Sequence, residues 1–130
     1  MDLADLESIK SFADTIKTVN VLICNAGVAG CPLSYTKQGF EQHIGVNHIG
    51  HFYLTQLLLP KLKSSGTVQS PSRVVVVGSL NYQMGKINLE NLSYDKAVST
   101  SRYNPLQAYS DSKLASMLFA RELATHQVEG

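Results

Sequence analysis

A tyrosine and a lysine four residues apart are the pair in this sequence best suited to proton chemistry. Tyr109 and Lys113 fall in a stretch with helical periodicity, so both side chains are expected on one face of a helix, one turn apart. An ammonium group beside a phenol favours the phenolate, and the hydroxyl can then donate and accept a proton near neutral pH. By itself the pair also fits an exposed lysine next to a half-buried tyrosine, so its meaning depends on its neighbours.

Polar or small residues also follow both predicted strands. Ser79 ends the valine run 74–77, and Asn25, Ala26 and Gly27 follow the apolar run 19–24. Open α/β sheets build their ligand crevice at the carboxyl ends of strands. The Ser79 hydroxyl is therefore a candidate to bond a substrate oxygen, and Gly27 would let the backbone approach a flat ligand. The alternatives are strand termination for the serine and a plain turn for the glycine.

Asn47 is a polar amide in the middle of an apolar helical pattern, between Gly45 and Gly50. Such a group is costly to bury unless it has hydrogen-bond partners. The two glycines are expected to loosen the helix, which would expose a backbone carbonyl to an ordered water and extend a proton path from Lys113. An amide satisfied by its own helix is the alternative.

The elements that would position these residues alternate between helices and strands. Helical periodicity covers residues 5–17, 38–62 and 106–127, with Asp2 or Asp5 as the first cap, and strand-like runs cover residues 19–24 and 73–79. Connections of this length imply right-handed crossovers and a parallel sheet, hence an α/β fold with the valine run covered on both faces. Residues 80–105 are expected to be irregular. Two strands make a poor sheet, which predicts that neighbouring strands lie outside this chain.

Composition excludes several classes of function. The 130 residues are 44% hydrophobic, which predicts one globular domain, 1–130, and a formal charge of +1 provides no long-range attraction to nucleic acid or anionic membranes. The apolar stretch 54–59 is too short to span a bilayer. Cys24 and Cys31 lack a Cys/His ligand set, and His48 and His51 have no partner at ligand spacing, so neither a disulfide framework nor a metal site is expected. A reducing compartment follows, in the cytoplasm or on the cytosolic face of a membrane.

Four motifs in this order resemble the short-chain dehydrogenase/reductase superfamily: residues 24–27, residues 46–52, the strand ending at Ser79, and residues 109–113. Within the superfamily, Tyr103-Asn104 and residues 112–115 are similar to the retinol-dehydrogenase-like branch. The resemblance implies a Rossmann-type doubly wound parallel sheet. It also implies an oxidoreductase that transfers hydride between NAD(P)(H) and an alcohol or carbonyl substrate.

The resemblance implies a role for each matching residue. Tyr109 would be the general acid/base, and Lys113 would activate it and bind the nicotinamide ribose. Ser79 would orient the substrate oxygen, and Asn47 would maintain the helix distortion and its water. The branch resemblance favours NADP over NAD. The residues expected to line the cofactor cleft, besides Tyr109 and Lys113, are Asn25, Ala26 and Gly27.

The sequence also departs from the family pattern. Cys24 stands where the family usually has a second asparagine. The Gly-rich phosphate-binding turn and its N-terminal βαβ unit would lie upstream of Asp2, and further strands and a substrate lid would follow the last helix. The chain is therefore expected to be a partial Rossmann-type domain, truncated at both ends. These 130 residues alone are expected to have very weak or no activity.

The sequence is compatible with more than one substrate and more than one function. Lipophilic side chains between Ser79 and Tyr109 suit a retinoid, a steroid or another apolar aldehyde or ketone. The alternative is that they only pack the loop. A serine hydrolase is disfavoured because residues 78–82 lack the second glycine of a nucleophile elbow. The non-enzymatic alternative is an inactive fragment or an interaction partner of a full-length relative. A homo-oligomer through helices 38–62 and 106–127 is a further prediction. The lipophilic residues are Leu80, Tyr82, Met84, Ile87, Leu89, Leu92, Tyr94 and Tyr103.

Overall fold

The computed structural model describes residues 1–89 and 103–127. Helices and strands alternate along these ranges, which confirms the predicted α/β class. The elements are α1 (Leu6–Thr15), β1 (Val21–Cys24), α2 (Gln42–Ile44), a π-helical segment (Gly45–Gly50), α3 (His51–Ser65), β2 (Arg73–Val76), a 3₁₀ helix (Leu80–Met84) and α4 (Pro105–Gln127).

The two strands pair in parallel, as the sequence predicts. Val21 lies opposite Arg73 and Cys24 opposite Val76, and one more bond runs from the Val77 amide to the Cys24 carbonyl at 3.1 Å. Strand β2 is shorter than the predicted range 73–79, because the chain turns after Val77 into the 3₁₀ helix. The carboxyl ends of β1 and β2 therefore lie side by side.

One face of the sheet is packed and the other is exposed. Leu22 and Val74 pack against the core beneath the helices, whereas Ile23 is 60% and Val75 42% exposed. Alternate residues of a strand point to opposite faces, so all the described helices that contact the sheet lie on the first face. Within the part of the chain that the structure describes, the expectation that the valine run is covered on both faces is therefore wrong.

Side-chain caps fix where α1 and α4 begin. Asp5 is the N-cap of α1, where its carboxylate accepts a hydrogen bond from the Glu7 amide at 2.9 Å, which confirms one of the two predicted caps. The side-chain oxygen of Asn104 accepts from the amides of Leu106 and Gln107 at 3.0 and 3.2 Å. Pro105 then occupies the first helical position, where its missing N–H costs nothing. Helix α4 thus begins one residue before the predicted start.

The long helix predicted over residues 38–62 is a continuous helical segment over residues 42–65 with an altered middle. It begins late because Gly39, at φ +86°, is part of a turn, and because the Glu41 carboxylate caps the helix by accepting from the Ile44 amide at 3.0 Å. Between Gly45 and Gly50 the helix is π-helical. The predicted weakness at the two glycines is confirmed, in the form of a π segment rather than a sharp kink.

The packed core lies where α1 and α3 meet the covered face of the sheet. The buried members of the core are Leu3, Ile9, Ala13, Val46, Leu54, Leu58 and Leu62.

In the described part of the chain no helix is both long and apolar enough to cross a membrane.

Candidate active site

Helix α4 delivers a buried cation to the carboxyl end of β2. Lys113 is only 8% exposed, and its Nζ donates a hydrogen bond to the Val77 carbonyl at 3.0 Å. The same nitrogen lies 5.8 Å from the centroid of the Tyr109 ring. A buried ammonium is stable only with partners, so this arrangement ties the phenol to the sheet edge where ligands of α/β folds bind.

Tyr109 is half-buried beside this cation. Its ring also packs against the His43 ring in a T-shaped arrangement, at a centroid separation of 6.3 Å and an interplanar angle of 70°. Its hydroxyl makes no hydrogen bond to another residue within residues 1–89 and 103–127. The ring is therefore held while the hydroxyl keeps its capacity to donate and accept.

Asn47 connects the turn after β1 to α4. Its Oδ1 accepts from the Val28 amide at 2.8 Å, and its Nδ2 donates to the Val28 carbonyl at 2.9 Å and to Ser112 Oγ at 3.0 Å. The amide side chain thus has partners outside its own helix, which accounts for its burial. Ser112 lies next to Lys113 in α4. The hydrogen bond between Asn47 and Ser112 therefore fixes the distance between α4 and the turn after β1.

The backbone carbonyl of Asn47 accepts a hydrogen bond from Ser116 Oγ at 3.0 Å. The Lys113 ammonium bonds Val77 instead, so the two groups that the predicted proton path would join do not meet directly. A water-mediated path from Lys113 stays a prediction.

The tight approach of Gly27 to Asn47 gives a stability test. A Cβ added at Gly27 would lie 2.8 Å from Asn47 Oδ1, whereas one at Gly78 would meet nothing within 4 Å. We expect Gly27→Ala to lower the free energy of unfolding by about 1–3 kcal/mol, because Asn47 must give up its bonds to Val28. Gly78→Ala is the matched control and should change it by less than about 0.5 kcal/mol. Denaturant unfolding measures both, and equal losses would contradict the close contact.

Ser79 lies between β2 and the 3₁₀ helix. Its Oγ accepts from the Asn81 amide at 3.3 Å, so the alternative expectation of a terminating serine describes part of its role. The 3₁₀ helix packs directly on α4: a Cβ at Gly85 would lie 2.6 Å from the Ser110 carbonyl oxygen. The segment carrying Ser79 and the helix carrying Tyr109 are therefore brought together.

Cys24, the departure from the family pattern, is buried at the end of β1. Its Sγ lies 3.8 Å from Thr55 Oγ1, and that hydroxyl donates to the His51 carbonyl at 2.7 Å. Burial raises the pKa of the Cys24 thiol, which disfavours the thiolate. The thiol thus serves as a small buried group.

The side chain of His51 forms a hydrogen bond with the turn after β1. Its Nε2 bonds the Ala26 carbonyl at 2.8 Å. Burial lowers the pKa of His51, and the Lys113 cation lowers it further, so the ring is neutral at physiological pH. Burial also lowers the pKa of His48, to about 4. Neither residue is exposed at the surface.

The sequence did not reveal several of these contacts. Ser112 and Ser116 are fully or almost fully buried and bond Asn47, and Glu41 and His43 form a buried pair beside Tyr109. Serines four apart on the lysine helix were a usable signal, but nothing in the sequence indicated which residue they contact. Within the described residues no group of three histidine, cysteine, aspartate or glutamate side chains could hold a metal ion.

Comparison with known proteins shows the family of this chain. The sequence model of the short chain dehydrogenase family matches residues 1–97. The chain belongs to this family. Human retinol dehydrogenase 11 is 51% identical over 128 residues, which are 95% of this chain and 37% of that protein. Mouse retinol dehydrogenase 14 is 48% identical over 100% of this chain and 37% of its own length. The resemblance to the retinol-dehydrogenase-like branch is thereby confirmed.

Solved structures of short-chain dehydrogenases share the fold. An uncharacterized protein from Mycobacterium paratuberculosis superposes with a TM-score of 0.87 at 45% identity, over 99% of this chain and 44% of that one. The RhlG/NADP active-site complex from Pseudomonas aeruginosa gives a TM-score of 0.68 at 25% identity, over 98% of this chain and 46% of that one. The fold is therefore part of a Rossmann-type sheet. The chain spans somewhat more than a third of the length of its curated relatives.

Proposed function

We propose that this chain carries the proton-transfer residues of an NAD(P)-dependent oxidoreductase that interconverts an alcohol and a carbonyl compound. One observation carries the proposal: the buried Lys113 ammonium, bonded to the end of β2, lies 5.8 Å from the ring of a tyrosine whose hydroxyl is free of described partners. In the proposed reaction this cation would stabilise the negative charge that develops on the Tyr109 oxygen as its proton leaves.

The residues at this edge fit a nicotinamide cofactor. Asn25, Ala26 and Gly27 are exposed, so a ligand can reach the turn. Hydrogen bonds from this turn to His51 and Asn47 hold it in place. Lys113 and Tyr109 would hold the nicotinamide ribose, and residues 25–27 would line the rest of the cleft. When bound, the nicotinamide supplies or accepts the hydride. The NADP complex of the Pseudomonas relative supports NADP over NAD.

The proton steps belong to the chain's own side chains. In the reducing direction Tyr109 would donate its proton to the substrate oxygen, and in the oxidising direction it would take the hydroxyl proton. Lys113 would stabilise the phenolate left behind. Ser79 would orient the substrate oxygen. Asn47 would hold α4 close to the turn after β1, so that Tyr109 and Lys113 reach the cleft.

We infer a lipophilic alcohol or carbonyl as substrate, in keeping with relatives named retinol dehydrogenases. Beyond Ser79 the side chains of Leu80, Met84 and Leu89 are exposed, which leaves them available to an apolar ligand. Of the residues predicted for this surface, Leu92 and Tyr94 lie outside the described residues.

Cofactor binding is the direct test of this proposal. We expect a protein in which this chain follows a Gly-rich phosphate-binding turn to bind NADPH saturably, seen as increased nicotinamide fluorescence, and more tightly than NADH. Residues 1–130 alone should bind NADPH very weakly, because they lack that anchor for the phosphates. In the longer protein Gly27→Ala should weaken binding, because its Cβ would displace Asn47 and the turn, while Gly78→Ala should not. If the longer protein binds neither nucleotide, the cofactor role of residues 25–27 is contradicted.

A non-catalytic second function has its own supporting observation. Val21, Ile23, Val75 and Val77 form an exposed apolar face on the sheet. Apolar patches of this kind mark association surfaces, so the chain would act by binding a relative of the same family. Absence of nucleotide binding together with co-purification of a full-length relative would favour this function over the first.

We also propose a homo-oligomer through the two long helices. Phe52 on α3 is exposed and forms a T-shaped pair with Phe119 of α4, with ring centroids 5.4 Å apart. Met117 and Leu118 are also exposed along α4. Light scattering on the eluting protein tests this pairing. Both cysteines are unpaired, which supports the proposed intracellular location, in the cytoplasm or on the cytosolic face of a membrane.

A further inference from the structure

A carboxylate is buried completely at the start of α2. The Glu41 side chain is 0% exposed, and its Oε1 accepts from the Tyr103 hydroxyl at 2.6 Å and from His43 Nδ1 at 2.7 Å. Its Oε2 accepts from the Ile44 amide at 3.0 Å. Burial works to raise the pKa of Glu41, but these hydrogen bonds outweigh it and hold the pKa below its ordinary value. The group is therefore an ionised carboxylate in the protein interior.

The histidine of this cluster has a defined proton position. The Cys31 amide donates to His43 Nε2 at 3.2 Å, so Nε2 is the acceptor nitrogen. The proton then lies on Nδ1, where it faces Glu41. A carboxylate that fixes the tautomer of a histidine also fixes the orientation of its ring.

The cluster joins segments that surround the candidate active site. Cys31 belongs to the loop after β1, Glu41 begins the π-containing helix, and Tyr103 lies two residues before α4. The oriented His43 ring and the Tyr109 ring form a T-shaped pair whose centroids are 6.3 Å apart. The Lys113 ammonium approaches the same ring at 5.8 Å.

We propose that Glu41, His43 and Tyr103 form a positioning cluster that fixes the ring of Tyr109 against Lys113. A buried charge is weak evidence for stability, since an apolar set of the same volume would often be as stable. An ionised carboxylate with all its donors in place does, however, hold the His43 ring in a single orientation. The consequence for turnover rests on the proposed function, whereas the positioning itself does not.

The test reads the Tyr109 ring directly. Tyrosine carrying ¹³C at Cζ is incorporated into the full protein, and the Tyr109 resonance is the one that Tyr109→Phe removes. We expect Glu41→Gln and Tyr103→Phe each to shift or broaden that resonance in folded protein, because the His43 ring loses its fixed orientation. In the NADPH-dependent assay, kcat should fall about tenfold to a hundredfold while the KM for NADPH stays within about twofold.

Matched controls remove the same chemical groups elsewhere. Glu7→Gln removes an exposed carboxylate, and Tyr53→Phe removes a phenol hydroxyl on α3; both should leave the Tyr109 resonance in place. An unmoved resonance in folded Glu41→Gln and Tyr103→Phe overturns the positioning cluster, whatever the turnover. A moved resonance in a parent protein without turnover supports the cluster and contradicts the proposed function. Should Glu41→Gln not fold, Tyr103→Phe decides alone, because it removes only a half-buried hydroxyl.

Discussion

In a protein that carries this chain together with a Gly-rich phosphate-binding turn, Tyr109→Phe is expected to reduce kcat by about 100-fold to 10,000-fold, because it removes the group that donates or accepts the proton in the chemical step. The ring remains, so the contacts with His43 and with the Lys113 ammonium are retained. The affinity for NADPH should consequently change little. Steady-state kinetics with NADPH and a lipophilic aldehyde measure the first quantity, and nucleotide fluorescence measures the second.

The control for this substitution is Tyr53→Phe, which removes a hydroxyl from a tyrosine packed on the core instead of at the sheet edge. Its kcat should stay within about twofold of the parent. Unfolding experiments should find Tyr109→Phe nearly as stable as the parent, because no described hydrogen bond is lost. Turnover preserved in Tyr109→Phe would refute the proton-transfer role and, with it, the proposed mechanism.

Periodicity and caps allowed the backbone elements to be predicted from local sequence. Asp5 was an expected cap of α1, and the valine run did form a strand with parallel pairing. The strand ended early because its last residues are taken up by the turn into the 3₁₀ helix. Coverage of the sheet could not be predicted, since the periodicity of a strand indicates which residues alternate but not whether anything packs on each side.

The form of the helix distortion was also beyond the sequence. Gly45 and Gly50 indicate a weak point, but a kink, an inserted water and a π segment are all compatible with two glycines. Asn47 lies within the π segment, and its side chain reaches Val28 and Ser112, 19 and 65 residues away. Such long-range hydrogen bonds leave no periodic trace in one sequence.

The same distinction between local and long-range contacts applies to the candidate site. Tyr109 and Lys113 could be paired from their spacing, because one helix fixes their separation. Glu41 and Tyr103 are 62 residues apart, and their hydrogen bond depends on how α4 packs against the start of α2. Chemistry carried within one element was therefore visible in the sequence, and chemistry assembled between elements was not.

Lys113→Ala should have a broader effect than Tyr109→Phe, because one ammonium serves two purposes in the proposed site. Without the cation the phenolate of Tyr109 loses its stabilising charge, and kcat should fall about 100-fold or more. Loss of a charge-assisted hydrogen bond to the ribose should also raise the Kd for NADPH about tenfold or more. Nucleotide fluorescence and steady-state kinetics on the same preparation separate the two losses.

Control variants are needed to separate the loss of the charge from a change in packing, because Lys113 also bonds the Val77 carbonyl at 3.0 Å and is 8% exposed. Lys113→Met keeps most of the side-chain volume without the charge, and Lys113→Arg keeps the charge in a different shape. If the cation acts on Tyr109 and on the cofactor, Lys113→Met should lose turnover and affinity although it unfolds at nearly the parent's denaturant concentration. Lys113→Arg should then keep part of the affinity, since its charge can still reach the ribose, but less of the turnover, since the planar guanidinium cannot take the place of the ammonium beside the ring. Equal activity in Lys113→Met and the parent would mean that the buried cation supports only the packing of α4 on β2.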